Sequence, residues 1–306
     1  MEQSVKTIYP RNRMPSATRK RSPLRRYTPW FFLLPAMVIF LVYVIYPIID
    51  SIWLSFFEWD GLSEKTWVGL GNYIELFESD AFYTSLKNNF LWLIFFMIAP
   101  PAGLAIALFL NQQIKGIRIV KSLFFFPFVI SQVVVGLVFA WFYDPTFGLF
   151  NIALSSIGIE PIAILSDEDY VTYGIIAAGL WPQVSYCMIL YLTGLNNLDP
   201  EQIEAARLDG AKKWRMLWYV VLPQLRPATF IAIVVTVIGA LRSFDLVATM
   251  TAGGPWGSSS VLAYQMYEES IFNYRMGYGA SVSVVLFLIM DVYIAYFLWR
   301  MLRSEK

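Results

Sequence analysis

Six apolar windows in this chain of 306 residues are each long enough to cross roughly 30 Å of hydrocarbon at about 1.5 Å per residue. They lie at 30–52, 86–110, 122–142, 173–195, 227–246 and 277–298. Hydrocarbon offers the backbone no hydrogen-bond partner, so runs of this length predict helices, and the alternation expected of a membrane barrel is absent. The expected fold is an all-α membrane protein of six transmembrane helices. With 58% hydrophobic residues, 15% charged residues and a mean hydropathy of +0.55, the chain is too apolar for an ordinary soluble domain.

Charge between the windows sets an expected orientation. The first tail, the second and fourth loops and the final segment together carry 19 of the 23 basic residues. Arg11, Arg25, Lys115, Arg118, Arg207, Lys213 and Arg303 are among them. The opposite loops carry Asp60, Glu75, Asp167, Glu168 and Glu269. By the positive-inside rule both termini are expected in the cytoplasm. Residues 1–28 read as a basic, disordered cytoplasmic tail whose charges direct topology, and residues 29–306 as the membrane domain.

Composition removes several classes of chemistry. The chain has no histidine, the commonest general base, and its one cysteine, Cys187, can form neither an intrachain disulfide nor a thiolate cluster. No GxxxxGK[ST] loop is present to cradle ATP phosphates. No catalytic residue, metal site or bound cofactor is expected, and no nucleic acid partner.

The fourth loop, 198–226, reads as a folded part. Asp199 before Pro200 is a helix N-cap with proline in first position, and Glu201 suits the positive end of the dipole. A short helix over 202–208 follows, with Ile203, Ala206 and Leu208 expected to pack and Glu204 and Arg207 to face solvent or a partner. Gly210 sits where the chain can reverse with positive φ. A second amphipathic helix is predicted over 212–222, with Trp214, Leu217, Trp218 and Val221 at helical spacing. Alone, such a hairpin could lie on the bilayer anchored by its tryptophans.

Glu204, Ala205, Ala206, Asp209, Gly210, Leu222 and Pro223 form an EAA-x-x-x-G pattern with an LP ending, placed before the penultimate window. This resembles the signature of permease subunits of binding-protein-dependent ABC importers. FDLVATMTAGGP at 244–255 and VGLGNYIELF at 68–77 are similar to the sugar-uptake, maltose-permease-like branch. The resemblance implies that the short helix seats in a groove of an ATPase subunit. It also implies an ATPase dimer that binds ATP and magnesium, a second and different permease chain, an extracytoplasmic solute-binding protein, and a bacterial or archaeal cytoplasmic membrane. The departure is Ser258-Ser259-Ser260, where the family often has a Ser-Thr pair.

Charged groups inside the windows are costly and mark candidate sites. Arg242 and Asp245 stand near the outer end of the fifth window, able to bond one another if one helix carries both, and Asp291 lies within the sixth. A sugar needs aromatic faces and a few hydrogen-bonding groups. Trp181, Gln183, Tyr186, Arg242, Phe244 and Asp245 are the solute-path candidates. The outward loop containing Thr251, Gly253, Gly254 and Pro255 is expected to lie beside the docked binding protein. The expected function is import of a sugar by alternating access. The alternatives are the same type of importer for glycerol-phosphate or another anionic or polyol solute, or a stand-alone secondary transporter. An intramembrane enzyme is disfavoured by the missing histidine and the absence of paired carboxylates.

Overall fold

The computed structural model describes residues 24–112 and 115–304. The chain divides into two contact units, Met1–Asp50 and Ser51–Lys306. In the first, α1 (Leu24–Phe40) runs through a π turn at Leu41–Ile45 into α2 (Tyr46–Leu54), which ends in the second unit. The wider turn lies directly before Pro47, whose missing N–H leaves the helical ladder one donor short. The helix begins within the segment assigned to the basic tail; residues 1–23 lie outside the described part, and with them the expectation of disorder there.

In the second unit a two-stranded hairpin, β1 (Phe57–Glu58) and β2 (Thr66–Trp67), pairs Phe57 with Trp67. Then come α3 (Gly71–Glu78), α4 (Asp80–Phe96) and α5 (Ala99–Leu110). The α4–α5 break at Met97–Ile98 falls just before Pro100 and Pro101, which cannot donate to the preceding turn, yet the pair still makes one span of 31 residues. α6 (Ile117–Val129) and α7 (Gln132–Phe142) follow, then α8 (Leu149–Ser156) and α9 (Val171–Asn196). α10 (Pro200–Leu208), α11 (Lys213–Met216), α12 (Leu222–Gln224) and α13 (Arg226–Leu241) complete the fourth loop and the fifth window. The chain ends in α14 (Phe244–Met250), α15 (Leu262–Tyr267) and α16 (Met276–Ser304).

Among the described residues the architecture is all-helical apart from the small hairpin, with four helices long and apolar enough to span a membrane and two bent helix pairs that could each complete a further span. Besides the break in the second window, two further windows depart from the single helices the sequence predicts. The third is broken between α6 and α7 by a 100° bend, where Ser131 turns extended and its hydroxyl accepts the Val134 N–H as a new N-cap. The fifth ends at Leu241, five residues earlier than hydropathy suggests, and the predicted 212–222 helix contains a π turn at Leu217–Val221. Hydropathy registers apolarity and not direction, so a bend inside an apolar run leaves no trace in it.

α9 is the central post. α5 lies against it through Gly103, where an added Cβ would stand 2.6 Å from the Cys187 Cβ and 2.7 Å from the Met188 nitrogen. Small residues at such a crossing let membrane helices approach closely. Cys187 is fully buried there, as a small hydrophobe. One core cluster gathers Trp92, Phe96, Val135, Ile175, Leu246 and Tyr264; another gathers Ala107, Leu110, Met188, Tyr191 and Leu225 toward the fourth loop.

Candidate functional site

Between α4, α7, α9 and α13 lies a cavity of about 390 Å³. Gln183, Tyr186, Arg242 and Asp245, four of the six residues singled out for the solute path, line it together with Trp92, Phe96, Gln132 and Ser243. Trp92 and Phe96 meet edge to face at 4.9 Å, and Tyr186 stacks on Phe128 at 5.0 Å. The Gln183 amide donates to the Thr236 hydroxyl at 2.9 Å. Gly239 opens the wall opposite: a Cβ there would lie 3.4 Å from Gln183 Oε1. The Trp92 indole N–H has no hydrogen-bond partner among the described residues although Trp92 is 1% exposed. Aromatic faces, amides, a hydroxyl and one charge of each sign make a lining suited to a polyhydroxylated solute.

Two candidates fall elsewhere. Trp181 and Ser185 line a separate apolar cavity with Leu123, Phe124 and Pro127, because 181 and 185 share a face of α9 that 183 does not. Phe244 turns away from the cavity to stack on Tyr264 at 6.1 Å and meet Tyr267 edge-on at 5.2 Å. Nor do Arg242 and Asp245 form a helical pair: the chain turns at Ser243, and no salt bridge joins them. They meet as separate groups on the cavity wall. Asp291 is exposed on α16, outside this cavity.

The loop after α14 is clamped from below. Asn88 donates to the Ser258 and Ser260 carbonyls at 2.6 and 2.7 Å, and Asn89 accepts the Leu262 N–H at 2.8 Å. Ser259 is buried and donates to the Gly254 carbonyl at 2.6 Å; it also bonds the Thr251 hydroxyl at 2.8 Å. Gly253 is buried, and Gly254–Pro255 is a cis peptide. The clamped loop presents Trp256, 93% exposed, at its tip. The sequence reading missed Asn88, Asn89 and Trp92. Two adjacent asparagines within an apolar helix were the available signal, since polar side chains there need partners.

The fourth loop forms the predicted helical hairpin. Asp199 caps α10 by accepting the Glu201 N–H at 3.0 Å, and the Gln202 amide donates to its other oxygen at 3.1 Å. At the far end Gly210 takes φ +76°, its N–H bonds the Arg207 carbonyl at 3.1 Å, and the Ala211 N–H bonds that of Ala206 at 2.9 Å. This is a Schellman closure, and glycine suits its left-handed residue because it carries no Cβ. Ile203 and Ala206 are half-buried, and Glu204, Ala205 and Asp209 are exposed. Leu208, expected to pack, is instead 89% exposed beside them, placing an apolar knob on the outer face. Trp214 and Trp218 are likewise exposed, while Val221 is buried.

Leu222 and Pro223 enter α12, and the chain then bends by 69° into α13. The Asp199 N–H donates 2.9 Å to the Gln224 side-chain carbonyl, tying the start of α10 to the last residue before that bend. No sequence pattern pointed to this bond across 25 positions.

Residues 99–303 match the family described as "Binding-protein-dependent transport system inner membrane component". The chain belongs to this family. It is 33% identical over 291 residues to a probable ABC transporter permease protein of Pyrococcus horikoshii, covering 94% of this chain and 99% of the relative. The lactose transport system permease protein LacF of Rhizobium radiobacter is 32% identical, covering 90% of this chain and 95% of LacF. The fold is that of a bacterial ABC transporter involved in the import of alginate, with a TM-score of 0.81 at 21% identity, over 92% of this chain and 98% of that one. The protein is a permease subunit of a binding-protein-dependent ABC importer, a multi-pass component of the inner membrane.

Proposed function

We propose that this permease carries a carbohydrate inward by alternating access, and that α10 converts closure of a separate ATPase dimer into movement of α13. One observation carries the reading: α13 lines the solute cavity through Val235, Ile238 and Gly239, while the residue before its N-cap, Gln224, is bonded to Asp199 at the start of α10. Displacing the hairpin therefore displaces a wall of the cavity. Glu204, Ala205 and Leu208 form the exposed surface offered to the ATPase groove, with the charge of Glu204 and the apolar bulk of Leu208 side by side. ATP and magnesium are bound by that partner.

The lining of the cavity and the similarity to a lactose permease both favour a sugar. Arg242 on the wall supports a second reading, an anionic sugar or glycerol-phosphate. A second permease chain would complete the path, and the solute-binding protein would dock against Thr251, Gly253, Gly254, Pro255 and the exposed Trp256. The basic loops favour a cytoplasmic position for both termini.

The test is co-purification and uptake with the partner subunits, wild type beside Glu204→Lys. Wild type is expected to retain the ATPase and take up sugar, and Glu204→Lys to lose both while remaining in the membrane. Normal uptake by Glu204→Lys removes the coupling assignment. Competition by neutral and anionic sugars then separates the two solute classes, with Arg242→Gln expected to weaken only the anionic one.

A further inference from the structure

A second cavity, of about 650 Å³, opens on the other side of α13. Arg226, Thr229, Phe230 and Ile233 face it, whereas Val235, Ile238, Gly239 and Arg242 face the solute cavity. Each set follows the i, i+3, i+4, i+7 spacing of one helical stripe. The two stripes start nine residues apart, which is two and a half turns, so they occupy opposite faces. The larger cavity thus stands outside the proposed solute path.

Its walls are apolar along most of their length: Pro101 and Leu104 of α5, Phe230 and Ile233 of α13, and Phe297 of α16. Its one charge is Arg226, the first residue of α13, where the apolar helix meets the coupling loop. No carboxylate among the described residues lies within salt-bridge distance of Arg226. Ile233 lies seven residues further along, about 10 Å deeper at 1.5 Å per residue. A cation at the membrane boundary above an apolar trough has the form of a phospholipid: phosphate at the surface, acyl chain below. Basic pockets between membrane helices bind acidic headgroups in this way.

We propose that this groove holds one anionic phospholipid from the leaflet on the coupling-loop side. Its phosphate pairs with Arg226, and an acyl chain lies along Phe230, Ile233 and Phe297. The proposal requires only that the chain spans a bilayer, and it stands whichever solute is carried.

The test is native mass spectrometry of the importer, purified with its accompanying subunits and exchanged through nanodiscs of phosphatidylethanolamine and phosphatidylglycerol in equal amounts. Wild type is expected to retain one phosphatidylglycerol in preference to phosphatidylethanolamine. Arg226→Gln should reduce that preference about five-fold, the worth of one basic residue at a membrane surface. Arg226→Lys should keep it, and Ile233→Trp should expel both lipids. Excess soluble glycerol-phosphate should not displace the retained lipid, since it lacks the chain. Equal retention of the two lipids by wild type, or an Arg226→Gln preference equal to wild type, overturns the proposal. So does an importer that retains no lipid, which would mean that a protein helix covers the groove. If Ile233→Trp fails to assemble, the two Arg226 variants decide alone.

Discussion

The loop after α14 and the hairpin before α13 lie at opposite ends of one bundle and are held in different ways. The outer loop is gripped by side chains from a distant helix: Asn88 and Asn89 hold it at three backbone positions, and Ser259 ties it internally. In the hairpin, α10 is shaped by its own caps, with Asp199 at one end and Gly210 at the other, and the Asp199–Gln224 hydrogen bond ties it to α12. The first arrangement immobilises a surface against the bundle. The second makes α10 a small capped unit, while Met216, Leu217 and Val221 of the following segment pack into the bundle. The two constructions suit the roles proposed above, a fixed docking platform and a movable transmission element respectively.

The largest effect is expected where the capped unit is broken. Gly210→Pro forces φ near −65° on a residue held at +76°, so α10 cannot close and uptake should fall more than about ten-fold while the protein stays in the membrane. Uptake at the wild-type rate would mean that the hairpin is not a transmission element. Asn88→Leu leaves the Ser260 carbonyl without its donor and the Ser258 carbonyl with only the Thr172 hydroxyl at 3.3 Å, at a cost of about 1–3 kcal/mol for the buried group left unpaired. Thermal unfolding should register the loss, and limited proteolysis should cut first near Trp256. If Asn88→Leu is as stable as wild type and cleaved elsewhere, the platform is not held from α4.

Gln224→Leu removes one neutral hydrogen bond, worth about 1 kcal/mol. The ATPase should still co-purify, because the face containing Glu204 and Leu208 is untouched, but ATP hydrolysed per solute moved should rise. An unchanged ratio would show that Asp199 and Gln224 carry no force. The smallest effect belongs to Asp60. It accepts the Ser63 N–H at 2.7 Å, the Leu62 N–H at 2.8 Å and the Ser63 hydroxyl, and these hold its carboxyl at about 2. Its contribution to order in the β1–β2 turn is complete above the ordinary carboxylate value of about 3.9 and fades as pH falls toward about 2. Asp60→Ala should lack this acid-dependent loosening in amide exchange; the same acid response in the variant would assign it to another group.

What was legible in the sequence was local. The cap at Asp199, the proline start of α10 and the reversal at Gly210 each follow from a residue and its immediate neighbours, and all three stand in the structure. The six windows follow from one-dimensional apolarity. What escaped needed the third dimension: the 100° turn at Ser131, the outward swing of Leu208, and the pairing of Asn88 with a loop 170 residues away. The cavity shows both sides of this. Gln183 and Tyr186 stood out as polar groups in an apolar run, whereas Trp92 and Phe96 were hidden among other aromatics until helix faces were known.

The 69° bend before α13 gives that helix a defined corner to tilt about. Leu225, with no exposed surface, sits at the corner between α12 and α13 as a fulcrum. From there α13 extends 16 residues, about 24 Å at 1.5 Å per residue. Tilting this arm by about 5° sweeps its far end through about 2 Å, enough to lose or make hydrogen bonds at Arg242 and Ser243. On the coupling proposed above, a tilt begun at the loop end of α13 reaches the solute cavity as a displacement of this size.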